Sequence, residues 1–194
     1  MIDQQRISEI LDFWFGAPES PELGQFRPKW FESTPEFDEE IRRRFFADYE
    51  RAAAGALEEW KQEARGCLAL ILLLDQFSRN LFREDARAFA TDPEAAAIAA
   101  YAVERGYDNE VPAFQRMFFY LPFEHSEDKD VQRRSVELFQ ALAEDAGSDS
   151  GLEYAIRHQR VIERFGRFPH RNAVLGRVNT PAESEFLASP EAPF

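Results

Sequence analysis

An all-α fold follows from two features of this 194-residue sequence. Apolar residues recur three and four positions apart between helix starters and stoppers, and no segment alternates in the Val-, Ile- and Thr-rich manner of a strand. The second feature is the run Cys67 to Leu74, apolar throughout, which passes straight into Asp75-Gln-Phe-Ser-Arg-Asn80. A helix that is apolar on every side must be wrapped by others, so this run marks a central helix. The expected architecture is a single domain, residues 1–194, of eight or nine helices around it.

Asp3 can cap a first helix whose Ile7, Ile10, Leu11 and Trp14 share one face, with Gly16 as its stop. Pro18, Pro21, Gly24 and Pro28 make residues 17–33 a connection, with Trp30 and Phe31 expected to anchor it in the core. Thr34-Pro35 starts a helix in which Phe37, Ile41, Phe45 and Tyr49 recur every four residues until Gly55. Glu63-Ala-Arg-Gly66 is the expected turn before the central helix, and Thr91-Asp-Pro93 the N-cap of an alanine-rich helix ending at Gly106. Pro112 opens and Pro122 is expected to end a short helix, and Ser126 to cap the next, with Val131, Ser135, Leu138, Phe139 and Leu142 on its stripe. Residues 147–151 read as a loop. Beyond it Tyr154, His158, Ile162 and Phe165 step by one turn to Gly166, Pro169 opens a single turn, and Thr180-Pro181 starts a last helix through Leu187.

The net charge of −13 repels phosphate backbones and argues against nucleic-acid binding. The longest apolar run is far short of the roughly 20 residues that span a bilayer, so no membrane association is expected. The single cysteine, Cys67, lies in the most apolar stretch, which rules out an intrachain disulfide and suits the cytoplasm. No Walker loop, dinucleotide fingerprint, nucleophile elbow or His-x-x-x-His pair is present, so no cofactor and no metal are expected.

Polar groups concentrate in three places. Asp75 and Arg79 stand at i, i+4 at the end of the apolar run, as do Gln76 and Asn80, so an ion pair and an amide pair are expected to leave the core together. Phe123-Glu-His-Ser-Glu-Asp128 lies between two helices, where Ser126, Glu127 and Asp128 suit a helix start. Capping does not account for Glu124 and His125, which are the candidate acid and base. Residues 157–177 hold six arginines against Glu163 alone. Arg167, His170 and Arg171 flank Phe168-Pro169 and are candidates for binding an anion, arginine being suited to carboxylates and phosphates. His158, on an apolar stripe, reads as a hydrogen-bonded core histidine.

Leu74-Asp-Gln-Phe-Ser-Arg-Asn-Leu-Phe-Arg83, Phe89-Ala-Thr-Asp-Pro93, Tyr120-Leu-Pro-Phe-Glu-His-Ser-Glu127 and Arg164-Phe-Gly-Arg-Phe-Pro-His-Arg-Asn172, with the opening Ile10-Leu-Asp-Phe-Trp-Phe15, resemble the bacterial family catalogued as domain of unknown function 924. Ser78 stands where the family carries proline, and Glu84-Asp85 where it carries Gly-Thr. The resemblance implies a helix-hairpin fold related to tetratricopeptide-like superhelices and brings no known activity.

The expectation for function is a pocket for a small anionic ligand built from Asp75, Arg79, Asn80, Arg167, His170 and Arg171, with Glu124 or His125 available for hydrolysis or group transfer. The alternative is a helical interaction module that takes a protein partner in its groove. The sequence sets neither enzyme status nor oligomeric state.

Overall fold

The Asp3 carboxylate accepts the Arg6 N–H at 3.0 Å and opens α1 (Gln4–Phe15), whose Ile7, Ile10, Leu11 and Trp14 are buried as their spacing predicts. The computed structural model describes residues 2–32, 34–147, 150–189 and 192. Among these, every regular element is helical and none is a strand. Their contacts divide them into two compact units, one running to Arg83 and resuming over Arg87–Pro122, the other comprising Glu84–Ala86 and the residues from Phe123 onward.

In the first unit, Trp30 is buried and its indole N–H donates to the Trp14 carbonyl at 2.8 Å. Phe31 departs from expectation: it is 54 % exposed and stacks on Phe26, because the single turn Pro28–Trp30 spends its inward position on Trp30. α2 (Pro35–Ala53) is capped by the Thr34 hydroxyl, and its Phe37, Ile41, Phe45 and Tyr49 face inward. Asp48 is buried on the same helix and accepts from Arg6 Nε of α1 at 2.9 Å, which compensates its removal from water.

The central helix comprises α3 (Ala64–Ile71), a π-helical turn at Leu72–Phe77 and α4 (Ser78–Leu81). Every residue from Cys67 to Ser78 is buried. Gly66 lies inside α3, not in a turn before it. A Cβ there would meet the Trp60 carbonyl oxygen at 2.0 Å, so the missing side chain lets the preceding turn, Glu58–Gln62, cross directly on the helix. Nothing in the sequence signals the π turn. Thr91 precedes α5 (Asp92–Glu104), but its hydroxyl donates to the Leu74 carbonyl inside that turn at 2.6 Å in place of capping α5.

α6 (Ala113–Glu124) runs through Pro122, which was expected to end it. A proline so near a helix end forfeits one backbone bond, and two further residues complete the turn. Glu124 is therefore the last helical residue, not a loop residue. Its carbonyl accepts from Gln132 Nε2 at 2.6 Å, and that of Ser126 from the same amide at 2.7 Å.

In the second unit the N-cap of α7 (Lys129–Ala146) is Asp128, whose Oδ1 accepts the N–H groups of Asp130 and Val131 at 2.8 and 3.1 Å. Ser126, expected there, instead closes a turn by accepting the Asp128 N–H. α8 (Ser150–Phe165) starts within the expected loop, of which Ser148 and Asp149 lie outside the described residues. Gly151 is helical, and a Cβ on it would stand 2.7 Å from the Phe139 ring, so α8 approaches α7 closely at this point. Ala155, His158 and Ile162 of α8 are buried, whereas Tyr154 is exposed. Val161, Ile162, Phe168 and Phe186 form a core beside which Phe165 packs. α9 (Pro181–Leu187) begins with a capping box between Thr180 and Glu183.

Candidate functional site

The polar end of the central helix is held within the first unit. Asp75 is fully buried in the π turn, accepts from Gln76 Nε2 at 2.6 Å, and has Oδ1 3.4 Å from Arg79 Nη1. Arg79 also grips Asp92 with a fork of 3.0 and 3.2 Å. Asn80 donates to Asp38 Oδ1 at 2.7 Å, and Arg83 holds the same carboxylate at 2.7 and 3.0 Å. The Asp75 and Arg79 pair forms as its spacing predicts. Gln76 and Asn80 engage different carboxylates, because the wider π turn changes the angle between residues four apart.

The second unit gathers the three histidines of the chain, two of them against Phe168 and the third against His158. The His158 and His170 rings each lie 5.5 Å from the Phe168 ring, the Arg171 guanidinium carbon is 4.6 Å from its centroid, and His125 is 6.3 Å from His158. Glu124, buried at the end of α6, places Oε1 3.1 Å from His158 Nδ1. The same ring nitrogen is 2.9 Å from the Tyr154 carbonyl. A carbonyl only accepts, so Nδ1 carries hydrogen. Burial, followed by the neighbouring His125, His170 and Arg171, pushes His158 down to about 2, and its ring is neutral at pH 7.

Two arginine forks position this cluster. Glu127 accepts the Phe168 N–H at 2.7 Å and both Nη groups of Arg177 at 2.8 and 2.9 Å, which ties the segment after α6 to the turn Pro169–Arg171. Burial pushes the Glu127 carboxyl up, but the Arg177 fork and the Phe168 N–H outweigh it and leave the group below its usual range. The backbone N–H at Phe168 is thus supplied with an anion by the chain itself. Arg167 makes a second fork with Glu183 at 2.6 and 2.8 Å and holds that carboxyl at about 2.

Of the sequence candidates, His170 and Arg171 therefore lie against Phe168, Glu124 and His125 lie against His158, Arg167 turns to Glu183, and Asp75, Arg79 and Asn80 belong to the first unit. Sequence reasoning did not pair Glu124 with His158, because the two stand on different helices with no local spacing to betray them. Nor did it single out Phe168 as the common neighbour. The only available signal was a carboxylate left over after helix capping was assigned. Among the described residues no group of three or more His, Cys, Asp or Glu is placed to hold a metal ion.

Residues 10–191 match the family described as bacterial protein of unknown function, DUF924. The chain belongs to the DUF924 family. A solved structure from Agrobacterium tumefaciens, the protein of unknown function ATU0120, is 42 % identical to this DUF924 chain with a TM-score of 0.84, over 94 % of this chain and 96 % of that one. No curated protein matches. The family span of this DUF924 member takes in both the carboxylate-held end of the central helix and the histidine cluster. No helix among the described residues is long and apolar enough to cross a membrane.

Proposed function

We propose that the protein binds a small anionic ligand, carrying a phosphate or a carboxylate, at the cluster around Phe168. The observation that supports this is the convergence of Arg171, His158 and His170 on the Phe168 ring, with His125 beside His158, in a chain of net charge −13. Imidazole and guanidinium groups drawn together in an acidic protein create a local field that favours anions. His170 and Arg171 are the groups assigned to the ligand because both lie against the Phe168 ring. Arg79, Asn80 and Arg167 each engage a carboxylate of their own unit, and ligand contact from them requires those pairs to open. With a carboxylate and imidazoles beside a bound anion, hydrolysis or group transfer is the reaction class the site suits, Glu124 and His125 being its candidate acid and base.

Thermal unfolding in a panel of phosphate- and carboxylate-bearing metabolites tests this. A true ligand at a hundredfold excess over its Kd raises stability by about 2.7 kcal/mol. Arg171→Ala removes the shift. A panel that leaves the parent protein unmoved overturns the proposal.

A second reading is supported by a different observation. Phe26 and Phe31 are 68 % and 54 % exposed and stack on each other, an apolar pair of the kind found where proteins dock. Together with the helix-hairpin relation to tetratricopeptide-like folds that the resemblance implies, this favours an interaction module. Replacing both phenylalanines with serine abolishes capture of a protein partner under that reading and leaves anion binding at Phe168 unchanged under the first.

A further inference from the structure

A cavity in the first unit lies where the turn Glu58–Gln62 meets α5. α5 carries Glu94, Ala97, Ile98 and Tyr101 at i, i+3, i+4 and i+7, so they share one face, and the single methyl of Ala97 leaves space beside the turn. An inner recess of about 90 Å³ opens there beside an outer groove of about 400 Å³, and the two share Glu58, Lys61, Ala97 and Ile98. The groove is of the size that small-molecule sites have. Leu57, Leu70, Leu74 and Ile98 line the recess, and each is buried. An apolar cavity of about 150 Å³ takes benzene, so the recess suits a smaller aliphatic group, of about four carbons.

Charge is confined to the rim, and it is mixed. Lys61 Nζ donates to Glu58 Oε1 at 2.7 Å, and the Glu58 side chain is 64 % exposed. An ammonium has three donors, and this bond uses one. Glu94, in the first turn of α5, also lines the recess, and among the described residues its carboxylate makes no hydrogen bond or ion pair. A ligand with a carboxylate alone is opposed by Glu58 and Glu94. One with an ammonium alone faces the like charge of Lys61. A ligand bearing both charges side by side answers the whole rim. We infer that the recess binds a free α-amino acid with a branched aliphatic side chain. Its carboxylate meets Lys61, its ammonium meets Glu94, and its side chain enters among the leucines. This goes beyond the anion site and is independent of it, since every lining residue belongs to the first unit.

Titration calorimetry of the full chain at pH 7.5 compares leucine with three relatives: isocaproate, which lacks the ammonium, isoamylamine, which lacks the carboxylate, and glycine, which lacks the side chain. Leucine is expected to bind about tenfold tighter, or more, than each of them. Ala97 is exposed and lines both the recess and the groove, so Ala97→Phe fills the space without disturbing the core and abolishes leucine binding. Glu94→Gln, also at the surface, narrows the preference for leucine over isocaproate. The parent protein decides by itself: no binding of leucine, or equal affinity for any of the three relatives, overturns the inference. Leucine binding that survives Ala97→Phe belongs to another site and overturns it as well.

Discussion

Nδ1 of His158 faces two acceptors at once, Glu124 Oε1 at 3.1 Å and the Tyr154 carbonyl at 2.9 Å, so a single hydrogen links the end of α6 to α8. The carbonyl belongs to the histidine's own helix, and the carboxylate comes from another. The pair thereby makes one ring nitrogen a joint between two helices, and its protonation state a quantity on which folding depends.

That dependence has a definite sign. His158 is lowered from 6.5 to about 2 in the folded chain, so below pH 6.5 the unfolded state binds a proton that the folded state refuses. Stability is fully present above pH 6.5 and falls as the pH drops toward 2, by up to about 1.4 kcal/mol per pH unit. Glu127 and Glu183, both lowered from 4.5, add loss of the same sign only below that value. Urea unfolding between pH 4.5 and 6.5 reads the slope above the range of these two carboxylates. His158→Gln flattens the curve in that window, and a variant that keeps the parent slope shows that another group carries it.

Glu84 has φ of +61°, a left-handed conformation in which its Cβ crowds the following carbonyl. It stands where the family resemblance puts glycine. Glu84→Gly relieves about 1 kcal/mol of strain against the greater entropy of an unfolded glycine. The expected net change is stabilising, about 0.5 kcal/mol, seen as a small rise in Tm; a fall shows that the Glu84 side chain contributes more than its strain costs.

The Glu183 carboxylate serves Arg167 through both oxygens and the Thr180 N–H at 2.7 Å. Thr180→Ala removes one cap bond and costs about 1 kcal/mol. Glu183→Ala costs more, because it leaves Arg167 and the backbone N–H together without their acceptor. Chemical denaturation of the two variants gives this order. Equal losses would show that the Arg167 fork adds nothing beyond the cap.

Gly66→Ala is the severe substitution. The new Cβ would lie 2.0 Å from a backbone oxygen, where no side-chain rotation relieves it. Alanine is the better helix former by about 1 kcal/mol, yet the expected outcome is a loss of about 3 kcal/mol or more, or failure to fold. Stability equal to the parent would mean that the Glu58–Gln62 turn moves freely off the helix.

Helix starts with local chemistry were legible in the sequence: Asp3, Thr34 and Thr180 all cap as their positions predict. The starts that failed involve competition between neighbours or distant partners. Asp128 took the cap from Ser126, and Thr91 gave its hydroxyl to Leu74, a residue on another helix. Pro122 misled because the cost of a proline depends on how much helix follows it, and here two residues do. For the site, residue types were visible and pairings were not. The arginine-rich stretch stood out, but only tertiary structure sends Arg167 to Glu183, Arg177 to Glu127 and Arg171 onto Phe168. His158 was placed correctly among buried, hydrogen-bonded histidines, and its partnership with a carboxylate on α6 has no sequence counterpart.

The π turn at Leu72–Phe77 amounts to a helix that has accepted one supernumerary residue while its two ends stayed where they were. Removing one residue of that turn would restore ordinary winding and leave Ser78–Leu81 facing as they do, because the turn absorbs the extra residue locally. Arg79 would keep Asp92 and Asn80 would keep Asp38, whereas Asp75 and Gln76, inside the turn, would change their place against both. For this stretch the number of residues decides where the buried carboxylate sits relative to a helix end that is itself indifferent to the count.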